Sequence, residues 1–183
     1  MTREPALDVE SMSGEQRRVY DAIAAGPRGA VRGPLAVWLQ SPGLAGRAQE
    51  LGAYCRYGSS LPPRLSELAI LVTGAHWRAG YEWSVHAPIA RDAGLSEAAV
   101  EAIRRNETPA FEREDERIVH RFAVEMLTTH EVCDETWGRA QAVLGVRCVV
   151  DLVGVLGYYG LVSMTIKSFR IALPDGAADP FAA

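Results

Sequence analysis

The 183-residue chain is long enough to bury a core within one domain. Its 48% apolar and 23% charged residues are ordinary for a soluble globular protein. A net charge of −4 with scattered basic residues leaves no electrostatic footprint for nucleic acid, and no such partner is expected.

Residues 1–12 read as a flexible N-terminal arm. The start, MTREPALDVESMSGEQRR, has no apolar run of the secretory kind, so a cytoplasmic location is expected. Ser13 precedes GEQRRVYDAIAAG, in which Val19, Tyr20 and Ile23 fall at helical spacing and Gly26 acts as a stop. Pro27–Pro42 is rich in proline and glycine and reads as a loop with at most one short turn of helix around Leu35–Leu39. With Val37, Trp38 and Leu39 it suits either a wall over a pocket or an apolar clip on the N-terminal helix. Leu44–Tyr57 reads as a helix with Leu44, Ala48, Leu51 and Cys55 on one stripe.

Pro62 and Pro63 then suit the first turn of a helix over Arg64–Ala79, and Gly80–Ala93 reads as the next. Ser96 caps SEAAVEAIRRN. The acidic FEREDER opens a helix running to about Thr129, with His120 and His130 exposed and without function. Asp134 reads as the cap of DETWGRAQAVLG, and Gly145–Arg170 is the last long helix. Within it, Cys148–Ile166 is apolar and about long enough to span a bilayer. It also carries Asp151 and several glycines and stands alone, so a buried helix and no membrane association are expected. No stretch alternates with period two. The expectation is an all-α bundle of six to eight helices, one domain over residues 13–173, and a tail over 174–183.

Chemistry concentrates in Glu67–His86, ELAILVTGAHWRAGYEWSVH. Glu82 and His86 stand at i and i+4 and share a helix face, about 5–6 Å apart at Cβ. Glu82 also lies in a first turn, where unpaired N–H groups favour a carboxylate. Glu67 sits among Leu65, Leu68, Ile70 and Leu71, either orienting His86 or paired with an arginine such as Arg64 or Arg78. Two glutamates and an imidazole in apolar surroundings hold a proton near neutral pH, which makes Glu82, His86 and Glu67 the candidate catalytic residues. His76, Trp83, Tyr81 and Trp38 are candidates for substrate binding. Tyr158 and Tyr159 read as packing residues whose hydroxyls need partners. His76, Glu82, His86 and Glu67 are nitrogen and oxygen donors in principle, but their spacing lacks paired histidines at i, i+4 and no metal is expected. Cys55, Cys133 and Cys148 are odd in number and far apart, with no CxxC, which suits a reduced compartment.

Glu67, RAGYEWSVHAPIARDAGLS and the late Gly-Tyr-Tyr resemble the carboxymuconolactone decarboxylase and alkyl hydroperoxidase D superfamily over roughly residues 44–173. The peroxidase branch of that superfamily carries Glu, eleven residues, Cys-x-x-Cys, three residues and His. Here Glu67 and His86 keep the interval, but Ala79 and Glu82 stand where the cysteines would fall. A dithiol mechanism needs an attacking and a resolving thiol. The resemblance therefore implies the decarboxylase-type branch: cofactor-independent acid–base chemistry on a small carboxylated or lactone-like molecule. It also implies self-association as a trimer, hexamer or dimer. An alkyl hydroperoxidase-like antioxidant protein and a non-catalytic binding oligomer are the alternatives.

Overall fold

The computed structural model describes residues 2–174 and 177–182. Met1 of the expected arm and residues 175, 176 and 183 of the expected tail lie outside them. The described residues form nine α-helices and no strand, the all-α class expected. The chain runs through α1 (Gly14–Ala25), α2 (Pro34–Trp38) and α3 (Pro42–Ala53), which passes into a π-helical turn at Tyr54–Gly58. There follow α4 (Pro63–His76), α5 (Gly80–Asp92), α6 (Glu97–Arg104), α7 (Glu114–Thr129), α8 (Asp134–Leu144) and α9 (Val146–Phe169). The count passes eight because the turn expected near Leu35 closes into a helix of its own.

Pro62 and Pro63 start α4, and the apolar run behind them places it at the centre. Every residue from Leu65 to Gly74 is buried. α5, α7 and α9 pack around it. A helix enclosed on all sides needs no amphipathic stripe, and α4 has none. Around it, α1 is closed by a reciprocal cap, Ser13 Oγ accepting from Gln16 N at 3.2 Å and Gln16 Oε1 from Ser13 N at 2.9 Å. α9 buries Val149, Leu152, Val155, Leu156, Tyr158, Tyr159 and Val162 against the core.

The buried face of α3 is Ala45, Ala48, Gly52 and Cys55, while Leu44 and Leu51 are exposed. Small residues face inward because α3 lies close against Tyr158: a β-carbon at Gly52 would overlap the Tyr158 ring. His120 is buried rather than exposed, tilted against Phe111 with ring centroids 5.4 Å apart. Burial pushes its pKa down, so it packs as a neutral imidazole.

Both ends of the chain lie on the bundle. Arg3 N donates to Phe169 O at 2.8 Å, and Ala172 N donates to Glu4 Oε1 at 2.7 Å. Phe181 is buried edge-on to Trp83, 5.4 Å between centroids, and Arg78 donates to its carbonyl.

Asp151, one turn into α9, fastens the π-helical turn to the core. It accepts from Tyr54 Oη at 2.8 Å, from Ser60 N at 2.7 Å and from Ser60 Oγ. These bonds hold its carboxyl below the usual range against the opposing effect of burial. Asp151→Ala strands the Ser60 N–H and the Tyr54 hydroxyl, and is expected to destabilise the fold by about 2–3 kcal/mol. Urea unfolding at pH 7 measures this; an unchanged midpoint would show that Asp151 does not fasten the turn.

Candidate active site

The turn between α4 and α5 brings the three ionisable groups together. Ala79 N donates to Gly74 O at 2.8 Å, and Arg78 takes a left-handed conformation with φ 48°, so the chain reverses within three residues. α5 returns along α4 and sets His86 opposite Glu67. Pro88 lies inside α5 and has no N–H, so the Ser84 carbonyl loses its intrahelical donor at the cavity wall.

His86 stands between two carboxylates. Its Nδ1 lies 2.7 Å from Glu67 Oε2, and its Nε2 lies 2.9 Å from Glu82 Oε1. All three side chains are at most 6% exposed. Burial alone would lower the imidazole pKa, but the Glu82 charge, hydrogen bonds to both glutamates and the Glu67 charge raise it from 6.5 to about 9. At neutral pH the cluster is an imidazolium between two carboxylates. Glu67 therefore pairs with His86 rather than with an arginine; Arg64 instead binds Asp115 and Glu116.

This arrangement commits both imidazole nitrogens. Of the two carboxylates, Glu82 is the one that lines a cavity, and it meets His86 through Oε1. Beside it lies a cavity of about 840 Å³, within the size range of small-molecule sites. Glu82, Ser84, Val85 and His86 of α5 form one wall, and Tyr158, Tyr159 and Val162 of α9 another. Residues 171–174 and Glu4 close one side. The segment from Pro27 to Trp38 lines the cavity, which makes it a wall; Trp38 is held there by donation from Nε1 to Thr165 Oγ1 at 2.9 Å. The central pair α4 and α5 is thus not the pocket by itself, because α4 contributes no lining residue and acts only through Glu67.

Aromatic rings continue the wall from the imidazole. His86 meets Tyr159 edge-on at 5.2 Å, Tyr159 meets Tyr158 at 5.2 Å and Tyr158 meets Trp38 at 6.1 Å. Burial, then the Glu82 and Glu67 charges, holds the Tyr159 phenol well above its ordinary pKa, and burial pushes Tyr158 up to about 12. Both remain neutral O–H groups at physiological pH. Tyr81 lines the cavity and packs on Gly33, which has φ 54°. A β-carbon at Gly33 would lie 2.6 Å from the Tyr81 ring, so only glycine fits there.

The other two expected binding residues are elsewhere. Trp83 follows Glu82 by one residue, about 100° around the helix, and packs on Phe181. His76 is nine residues beyond Glu67, half a turn out of phase on α4. It lines a second cavity with Arg78, Arg104 and Arg105. His76, Glu67, Glu82 and His86 therefore do not converge as a ligand set. Sequence reasoning also missed Arg28, Arg32 and Arg56, which line the main cavity. They come from the irregular segment and the π-helical turn, where no periodicity marks a direction. None of the three free cysteines lines it.

A helical bundle with a buried Glu–His–Glu cluster beside one cavity defines the class as the alkyl hydroperoxidase D-like fold. Residues 42–117, which hold Glu67, Glu82 and His86, match the model of the carboxymuconolactone decarboxylase family. No curated protein sequence matches the chain. Among solved structures, an uncharacterized peroxidase-related protein from Silicibacter sp. TM1040 superposes with TM-score 0.74 at 13% identity, covering 96% of each chain. A cysteine-to-alanine variant of the debrominase Bmp8, in complex with 2,3,4-tribromopyrrole, superposes with TM-score 0.73 at 15% identity, covering 98% of this chain and 96% of its own.

The raised pKa of His86 carries a stability consequence with a definite sign. Below pH 6.5 folded and unfolded chains both hold the proton, and the stabilisation is complete. As pH rises from 6.5 toward 9 only the folded chain holds it, and the contribution is lost as pH passes through about 9. At about 1.4 kcal/mol per unit, the loss is a few kcal/mol. Urea midpoints at pH 6.0, 7.5 and 9.5 should fall in that order, and the fall should vanish in Glu67→Gln/Glu82→Gln. An equal fall in that double variant would place its origin outside the cluster.

Proposed function

We propose that this protein is a cofactor-independent lyase or isomerase of carboxymuconolactone decarboxylase type. It moves a proton at a carbon atom of a small carboxylated or lactone-like substrate held in the main cavity. The observation that carries this reading is Glu82, which lines the cavity and is paired through Oε1 with the protonated imidazole of His86. The family match supports the class, and the absence of cysteine from the motif positions and from the cavity wall separates the chain from dithiol chemistry.

Proton transfer at carbon is assigned to Glu82 rather than to His86. His86 has no nitrogen free for substrate, so Glu82 is the group that gives or takes the proton at carbon. His86 is the reservoir behind it. Arg28, Arg32 and Arg56 offer guanidinium groups for the substrate's anionic end. In the decarboxylating direction the C–CO₂⁻ bond breaks and its electron pair passes into an extended enolate, for which the neutral Tyr159 hydroxyl is a donor in reach of the cavity. The imidazolium passes its Nε2 proton to Glu82, and Glu82 delivers it to carbon. Solvent then reprotonates His86. In the isomerising direction Glu82 removes the proton first. The cluster itself is buried, and charge interactions there exceed their strength in water.

Glu82→Gln leaves a neutral Glu67–His86 pair and keeps the side-chain volume, so the fold should persist with a melting temperature within a few degrees of the parent. Turnover should fall by about 10²–10⁴. The assay follows loss of carbon dioxide and carbon–deuterium exchange with carboxymuconolactone and simpler lactone acids. Equal losses in stability and turnover would instead make the cluster structural. Hydroperoxide turnover that disappears when Cys55, Cys133 or Cys148 becomes serine would transfer the chain to thiol chemistry.

A further inference from the structure

The second cavity has a volume of about 430 Å³ and stands apart from the proposed chemistry. Segments distant in the sequence converge on it: the end of α4 with His76 and Arg78, and the end of α6 with Arg104, Arg105 and Asn106. Thr128 of α7 adds a hydroxyl, the docked tail adds Pro180 and Phe181, and no carboxylate is among the described lining residues. In a chain of net charge −4, three guanidinium groups around one hollow concentrate positive charge. Helix capping does not account for them. Arg78 and Asn106 close their helices in left-handed turns, with φ 48° and 59°. Backbone N–H groups take carbonyls of each last turn, Ala79 N donating to Gly74 O and Glu107 N to Ala102 O, both at 2.8 Å. Nor does a carboxylate fork neutralise each arginine. Arg104 and Arg105 meet Glu101 and Glu107 through Nε, at 2.9 Å and 3.1 Å, and Arg78 is paired with no carboxylate among the described residues. Arg78 and Arg104 donate to the tail carbonyls of Phe181 and Pro180, a task that needs no charge and in which Arg105 takes no part.

We propose that this cavity binds a phosphate group, carried by a small phosphorylated molecule or present as the free ion. Guanidinium forks match the oxygens of carboxylates and phosphates alike. Charge and donor number select phosphate. A carboxylate brings a single negative charge, whereas a phosphate monoester brings about two charges and three strong acceptor oxygens. The arginines, the Asn106 amide, the Thr128 hydroxyl and the His76 imidazole supply more donors than one carboxylate takes. The volume falls within the range of small-molecule sites, so an organic body fits beside the phosphate, against Pro180 and Phe181. The inference stands on this cavity alone and holds whatever reaction the main cavity performs.

Titration of the full chain with inorganic phosphate at constant ionic strength, followed by the His76 ring resonances, tests it; a His76→Gln protein assigns the signals. Phosphate should shift them saturably. Arg105→Gln, at an exposed position, should weaken binding about tenfold with the circular-dichroism spectrum unchanged. Acetate should bind about tenfold more weakly than phosphate. Tighter binding of phenyl phosphate than of inorganic phosphate would identify an ester as the ligand, and no gain would identify the free ion; both support the site. No saturation up to about 50 mM phosphate, or an equal affinity for acetate, would overturn the proposal. So would an affinity lost in Arg32→Gln of the main cavity but kept in Arg105→Gln.

Discussion

One buried cation between two buried anions governs this molecule. Removing three ionised side chains from water is unfavourable unless each is met by a partner at hydrogen-bond distance. The 2.7 Å and 2.9 Å contacts of His86 with Glu67 and Glu82 meet that condition. The remaining architecture serves to hold it. α4 is enclosed on every side and cannot turn Glu67 away, and the three-residue reversal at Arg78 fixes the phase of α5 against it. Glu82 and His86 then share a face by helical spacing alone.

The cluster keeps one negative charge in excess with its imidazole protonated, and that excess shapes the surroundings. The cavity beside it is lined by Arg28, Arg32 and Arg56 and by neutral phenols rather than by further carboxylates, Glu4 at the rim excepted. Glu82 lines that cavity and lies 2.9 Å from the protonated imidazole through its Oε1. The proposed proton transfer at carbon rests on that pairing, in a stretch where Ala79 and Glu82 take the place of a Cys-x-x-Cys. The fold itself is kept in solved structures at 13% and 15% identity.

Much of this was legible in the sequence, for identifiable reasons. Proline at the start of α4, the glycines that close α5 and α8, and Ser13 and Ser96 as caps marked the helices, because each acts within a few residues. The Glu82–His86 pair followed from i, i+4 geometry. The partner of Glu67 did not, since helical phase says which way a side chain points on its own helix and nothing about the neighbour. The same limit explains the errors. His76 and Trp83 lie near the motif in sequence but half a turn and about 100° out of phase with it. The cavity arginines sit in segments without period, and Phe181 docks from the far end of the chain.

The protonation state of His86 is the quantity on which this account stands. Nitrogen-15 resonances of the His86 ring, assigned by comparison with a His86→Gln protein, report it directly. At pH 7.5 both ring nitrogens should carry protons, and the titration midpoint should lie near pH 9, well above the ordinary 6.5. A neutral ring at pH 7.5, with one nitrogen bare and a midpoint at or below 6.5, would contradict it.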